Sequence, residues 1–397
     1  MKGKQLAIVL ALLVALGGAA ILLNRRNADT WRSTATQSDA KILDFPLNDV
    51  SHITIHGDGA ALNLVKKDNV WKVNERADYP ANFELLSGLI RKIWELRAVQ
   101  DVKIGPSQFG RLQLLDPGQG SNSGTLLEFK GEGGKQISTL LLGKKYLRKS
   151  EQSLDEGAGI PSGRYVRNAD SSNRVALVAE TLDEVDPKPA HWLSRDFINI
   201  DNPKSITVAG ATADSNWQLT RNAASDPWKL IGAKPGEELD SAKASGLTTL
   251  FANATFADVL APEAQPAETG LDKPSTVTIE TFDNFVYTFR IGKLMGENYP
   301  ILVSVTATLP KERTLGKDEK PEDKTKLDQE FQTQQTKLAD KLAKEQKLEK
   351  RPYLIAKATI EQLLKNRAAL MAEKKPAATP SVSSSVSPSP SLPRRPK

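Results

Sequence analysis

The sequence predicts an α+β protein: two tandem related modules with largely antiparallel sheets plus helices, behind one N-terminal transmembrane helix. Three observations predict it. A set of landmarks occurs twice in the same order, each pair about 150 residues apart. Within each copy, apolar and polar residues alternate with the period of half-buried strands, broken once by a helical stripe. A single charge-free apolar run stands at the N-terminus. Among the landmarks, Ser51-His-Ile-Thr-Ile55 is answered by Ser205-Ile-Thr-Val208, and Trp71-Lys-Val73 by Trp228-Lys-Leu230. Leu114-Leu-Asp-Pro-Gly118 is answered by Gly270-Leu-Asp-Lys-Pro274. The Leu-Gly-Lys ending at Lys144 is answered by the Ile-Gly-Lys ending at Lys293.

At the N-terminus, Leu6 to Leu23 is apolar throughout, with Lys2 and Lys4 before it and Arg25 and Arg26 after it. At 1.5 Å per residue this run reaches about 27 Å, close to the thickness of a hydrocarbon core. A cleavable signal sequence ending near Gly18-Ala19-Ala20 is the competing reading, but Ile21-Leu22-Leu23 carry the apolar run past that point. Residues 1–23 are therefore expected to be an anchor or signal sequence, and the spanning length favours the anchor. The large body is expected to lie outside the membrane, because large domains cross largely regardless of flanking charge. Residues 24–40 are polar and aperiodic, and read as a stalk.

The first α+β module is placed at 41–195. Ile53-Thr-Ile55 and Leu62-Asn-Leu64 alternate around the Gly57-Asp58-Gly59 turn, and Val70 to Val73 follows as a strand. Leu85, Leu86, Leu89, Ile90, Ile93 and Trp94 form the stripe of an amphipathic helix. A second hairpin joins Leu126–Phe129 to Ile137–Leu142 around Gly131 to Gly134, and Arg164–Arg167 and Val175–Val178 close the module. The second module, at 196–370, repeats the plan. Strands are expected at Ile206–Val208 and Trp217–Leu219, a helix at Leu247, Leu250 and Phe251, and strands at Val277–Ile279 and Val286–Phe289. Arg351–Ile355 is the counterpart of the closing segment.

The second module contains a charged insertion at about 311–350, with Leu327, Phe331, Leu338, Leu342 and Leu348 on a thin stripe. It reads as a helix whose charges pair in solvent, and the alternative is a helix that docks a partner. Residues 371–397 are Pro, Ser and Ala rich. Such a segment buries too little apolar surface to offset its ordering entropy, and is expected to be disordered.

Composition excludes several classes. The net charge of +6 is spread along the chain instead of gathered in an arm or on one face, so no nucleic-acid partner is expected. With no cysteine, the chain has no disulfide, thiolate metal site, cysteine nucleophile or lipid-modified cysteine. His52 and His56 share a strand face, but no third histidine follows at ligand spacing, and His191 stands apart. Gly143-Lys144 and Gly292-Lys293 resemble the end of a phosphate loop, yet Lys145 and Leu294 replace the required hydroxyl residue; turns at strand ends account for them better. Trp71 and Trp228 read as core anchors of their modules, with an aromatic glycan platform as the alternative, and Trp94 and Trp217 bear on the same question. No catalytic, cofactor-binding or metal residue is nominated, and no cofactor is expected.

The motifs Ile42-Leu-Asp-Phe45, Val50-Ser-His-Ile53, Trp71-Lys-Val73, Leu114-Leu-Asp-Pro117, Leu142-Gly-Lys144 and Arg164-Tyr-Val166 resemble the bacterial family known as domain of unknown function 4340. The resemblance covers about 42–370, outside the insertion and the tail. It implies a singly anchored envelope protein with a repeated extracytoplasmic domain, accessory to a gliding-motility-type ABC transporter, and it carries over no ligand or catalytic residue. The expectation is a non-catalytic, membrane-tethered scaffold at the bacterial inner membrane with its body in the periplasm. Its partners would be the membrane, through the N-terminal helix, and a protein of an envelope complex, with no small-molecule substrate. An extracytoplasmic glycan- or polymer-binding module is the alternative, and an unrecognised hydrolase is the second.

Overall fold

A computed structural model describes residues 36–37, 39–57, 59, 61–149, 159–170, 173–315 and 319–372. The 1–23 leader, most of the stalk and nearly all of the tail lie outside the described residues. Among the described residues, no helix is long and apolar enough to cross a membrane.

The fold is α+β, with two largely antiparallel sheets. The first contains β1 (Thr36–Gln37), β2 (His52–His56), β3 (Ala61–Lys67), β4 (Val70–Val73), β5 (Tyr79–Pro80), β6 (Gln100–Asp101), β7 (Thr125–Lys130), β8 (Gln136–Lys149), β9 (Gly159–Asn168) and β10 (Val175–Val178). The second contains β11 (Pro203–Ala209), β12 (Trp217–Thr220), β13 (Lys229–Leu230), β14 (Asp258–Val259), β15 (Ser275–Thr281), β16 (Phe285–Ile291), β17 (Asn298–Ala307) and β18 (Tyr353–Ala356). The helices are α1 (Phe83–Glu95), α2 (Ser241–Thr248), α3 (Pro266–Thr269), α4 (Pro321–Gln346) and α5 (Lys357–Leu363).

The first sheet runs β1-β6-β10-β9-β8-β7-β2-β3-β4-β5 and the second β13-β12-β11-β15-β16-β17-β18-β14. With the edge strands β1 and β5 set aside, both follow one order of connection. By that order β17 occupies the place of β9, and β18 that of β10. The Arg351–Ile355 segment therefore answers Val175–Val178, and the charged insertion falls between β17 and β18. Asn298–Ala307, which alternation around Phe289 did not pick out, supplies the missing strand. Its Ile301, Val303 and Val305 face the core in the period-2 pattern.

Alternation sets the faces. Ile53, Ile55, Leu62, Leu64, Leu127 and Phe129 are fully buried and share a core with Leu86, Leu89, Ile90 and Ile93 of α1. Asn82 caps α1, its side-chain oxygen accepting from the Leu85 N–H at 3.0 Å. The opposite face of the first sheet holds a smaller cluster of Phe109, Leu112, Leu114, Leu141 and Val175. Beside the second sheet, α2 ends at Thr248, one turn short of the expected stripe, and Phe251 reaches the core from the following turn, stacked on Phe289 at 4.4 Å.

Both ends of the body extend slightly beyond the expected boundaries. Thr36 and Gln37 of the stalk pair with Asp101 and Gln100. At the tail, Met371 bridges to Leu239, and the Ala372 N–H donates to the Glu238 carbonyl.

The principal core is continuous across both sheets. Tyr79 of β5 meets Phe256 at 5.9 Å and Tyr353 of β18 at 6.2 Å, both edge-on. Arg76 grips Asp258 of β14 with two 2.7 Å hydrogen bonds. Arg351 donates to the carbonyls of Arg76 and Ala77, which the left-handed conformations of Ala77 and Asp78 turn outward. The bidentate Arg76–Asp258 pair is about three-quarters shielded. A double-mutant cycle with Arg76→Ala and Asp258→Ala, read by chemical denaturation, is expected to give a coupling of about 1–2 kcal/mol, above the ~0.5 kcal/mol of an exposed pair. A coupling near zero would mean that the pair does not hold the junction.

Candidate interaction surface

The residues singled out for chemistry are held in structural roles. His52 and His56 do lie on one face of β2, but they turn to different partners. The His52 Nε2 is 3.0 Å from the Asn63 Oδ1, and Asn63 in turn donates to Glu75 at 2.8 Å. The His56 Nε2 lies 3.3 Å from the Glu128 carboxylate, to which Lys130 donates at 2.9 Å. Partial burial alone would push the Glu128 carboxyl up; the Lys130 ammonium and His56 outweigh it and hold it below the usual range. His191 packs edge-on against Trp192, far along the chain from both. Among the described residues, no group of three or more His, Cys, Asp or Glu is placed to hold a metal ion.

The two Gly-Lys sites are close-packing points. A Cβ on Gly143 would fall 2.4 Å from the Leu112 carbonyl, and one on Gly292 would fall 2.1 Å from the Thr269 carbonyl. Each glycine thus lies beneath the turn that carries a Leu-Asp landmark, so the two landmarks are spatial partners beside both sheets. One expectation changes. Gly292 follows the end of β16, but Gly143 sits inside β8, which runs on to Lys149.

The tryptophan rings are committed. Trp71 and Trp217 are 7% and 4% exposed. Trp217 donates to the Lys365 carbonyl, and Trp94 to the Phe45 carbonyl under the Lys41 ammonium. Trp228 fills its expected role only in part: just ahead of β13 it packs half-buried against the core beneath the Arg221 guanidinium at 4.7 Å, whereas Trp71 is buried.

Two open clefts indent the first module. One of about 840 Å³ is lined by Arg91, Lys92, Glu95, Arg97 and Glu180. The other, of about 1010 Å³, lies between His52, Lys66 and the Gly131–Gly134 loop. In the first, Lys92 is paired with Glu184 and Arg97 with Asp39, so much of its charge is already matched.

The most distinctive surface is α4. Its last third is built into the second module: Leu338 and Leu342 pack on the core, and Leu348 just beyond it is buried. Glu345 is 3% exposed and accepts from the Tyr287 hydroxyl at 2.9 Å and the Asn199 N–H at 3.1 Å. Burial raises its carboxyl pKa above the usual glutamate value, and these two donors offset that only partly. Lys341 donates to the Asn199 carbonyl at 2.6 Å. The expectation of a wholly solvated helix therefore fails for this part, because a buried carboxylate with its own donors takes the place of surface pairing.

The N-terminal half of α4 behaves differently. Its neighbours are its own leading loop, through Arg313 to Asp328 at 2.8 Å, and itself, through Lys326 to Glu330. Most of its residues are exposed. Leu327 and Phe331 are half-buried and extend the stripe of Leu338 and Leu342 past the core cluster.

A body of two like-ordered, largely antiparallel sheets with a half-docked helix defines an α+β protein. The family described as domain of unknown function (DUF4340) matches residues 71–274, just over half the chain, and the chain belongs to that family. The match starts at Trp71 in β4 and stops just ahead of β15, so it takes in Arg76, Tyr79, Phe256 and Asp258 of the junction between the sheets. No curated protein and no solved structure matches the chain.

Proposed function

We propose that the chain is a non-catalytic, membrane-tethered envelope protein, an accessory or scaffold subunit of an ABC-type transport or gliding-motility-like complex. The 1–23 segment is its anchor in the inner membrane, the body is periplasmic, and the body comprises two copies of one module. The shared strand order supports the duplication. The observation that carries the scaffold reading is α4, with one end fixed by Glu345, Leu338 and Leu342 and the other presenting Leu327 and Phe331 away from the core. A helix held rigidly at one end presents an apolar stripe with little ordering entropy left to lose on binding. Tethering raises the effective concentration at the membrane, so a modest interface suffices.

The test is an affinity pull-down of full-length protein extracted in detergent, read by mass spectrometry, beside a leader-deleted form and a Leu327→Asp/Phe331→Asp form. Transporter-type subunits are expected with the intact chain and are lost from the α4 variant. Recovery undiminished by the substitutions would remove α4 as the contact. Absence of any such subunit from the intact chain would sink the scaffold reading.

A further inference from the structure

The loop between β12 and β13 is longer than its counterpart in the first sheet. By the shared strand order, β12 and β13 stand where β3 and β4 stand. Two residues, Asp68 and Asn69, join the first pair, whereas eight, Arg221 to Trp228, join the second. Hydrogen bonds fix the shape of the added loop. The Arg221 guanidinium donates from Nε to the Pro203 carbonyl at 2.8 Å and from Nη1 to the Ala224 carbonyl. The Asp226 N–H donates to the Ala223 carbonyl at 3.0 Å.

This loop and α2 frame a cleft of about 370 Å³. The helix lines it with Ser241, Ser245 and Thr248, at the i, i+4, i+7 spacing of one face, while Ala244 and Leu247 are buried on another. The loop lines it with Asp226, Pro227 and the half-buried Trp228, on whose ring Arg221 is stacked. Several polar groups here are left over. The Ser241 and Ser245 hydroxyls and the Arg221 Nη2 have no hydrogen-bond partner among the described residues. Asp226 accepts only through Oδ2, from the Ala223 N–H at 3.2 Å, and the Thr248 hydroxyl, which donates to the Ser245 carbonyl at 2.7 Å, can still accept.

We propose that this cleft binds a neutral saccharide. An anion would meet the Asp226 carboxylate and a cation the Arg221 guanidinium, so the lining favours a ligand without net charge. Sugar hydroxyls both donate and accept. They match Asp226 and Thr248 as acceptors, Arg221 as donor, and Ser241 and Ser245 as either. The C–H face of a sugar ring rests on Pro227 and on the part of Trp228 that Arg221 leaves open. The volume lies at the lower end of the ~300–1,000 Å³ of ligand pockets, which suits the end of an oligosaccharide. The inference is independent of the scaffold reading, because it uses no residue of α4, and either can fail alone.

Fluorotryptophan incorporated into the full-length protein gives one fluorine resonance for each of the six tryptophans, and Trp228→Phe identifies the resonance of interest. The protein is held in lauryldimethylamine oxide, a detergent without a sugar headgroup. Tri-N-acetylchitotriose, cellotriose and maltotriose are titrated as neutral probes, with citrate and spermidine as charged ones. The expected result is a saturable shift of the Trp228 resonance with at least one sugar and with neither charged probe, the other five resonances staying in place. Ser245→Phe, which fills the cleft from an exposed helix position, abolishes the shift without lowering the melting temperature. No shift with any of the three sugars overturns the site, as does a shift that persists in Ser245→Phe. A shift with citrate or spermidine and with no sugar overturns the saccharide assignment in favour of a charged ligand.

Discussion

Replacing Gly292 by alanine is expected to destabilise the protein by about 3 kcal/mol, and Gly143→Ala by about 2–3 kcal/mol, at the upper end of the cost of overpacking. The new methyl group would stand 2.1 Å from the Thr269 carbonyl in the first case and 2.4 Å from the Leu112 carbonyl in the second. Both obstacles are backbone, so no rotamer change relieves them. At Gly292 the neighbours are also fixed by hydrogen bonds: the Gly292 N–H donates to the Pro300 carbonyl at 2.8 Å, and the Lys293 N–H to the Thr269 carbonyl at 2.9 Å. Moving the turn away from the methyl would break the second of these. Urea denaturation of the two variants checks the claim. A loss below about 0.5 kcal/mol at both sites, the scale of ordinary surface substitutions, would show that the turns are free to shift.

Glu345→Ala is expected to cost about 2–4 kcal/mol, because it leaves the buried Tyr287 hydroxyl and the Asn199 N–H without their acceptor. Glu345→Gln should behave otherwise. A carboxyl whose folded pKa is raised binds its proton more tightly folded than unfolded. Its contribution is fully present below the unfolded value of about 4.3 and is lost as pH rises through the folded value. Stability of the wild type relative to Glu345→Gln should therefore fall as pH climbs from mild acid towards neutrality. Denaturation of both proteins across that interval measures the difference, and a difference independent of pH would mean that burial does not raise the Glu345 pKa.

Much of the fold was legible because both sheets obey period-2 alternation. Ile53 and Ile55, Leu62 and Leu64, and Val277 and Ile279 fall on the buried face. The amphipathic stripe of α1 was equally plain. β17 escaped notice because Ile301-Leu-Val303 is a continuous apolar run, which reads as neither alternation nor helical stripe. The short strands β1, β5, β6 and β14 are two residues long, too short to carry any period. At the surface, the stripe of α4 was visible, but not its depth of burial. Glu345 looks like any glutamate in a charged helix until β16 brings Tyr287 to it from 58 residues away. The overhang of the β8–β9 hairpin left one trace, the longer spacing between Leu142-Gly-Lys144 and Arg164-Tyr-Val166 than between their counterparts.

The two sheets share their strand order but not their additions. The β8–β9 hairpin overhangs its neighbours β7 and β10 in one, and α4 interrupts β17–β18 in the other. These additions lie at opposite ends of the common strand plan. Each half of the body therefore carries an addition that the other lacks. Two reagents, one directed at the β8–β9 overhang and one at α4, would tell the halves of the chain apart although their strand orders are the same.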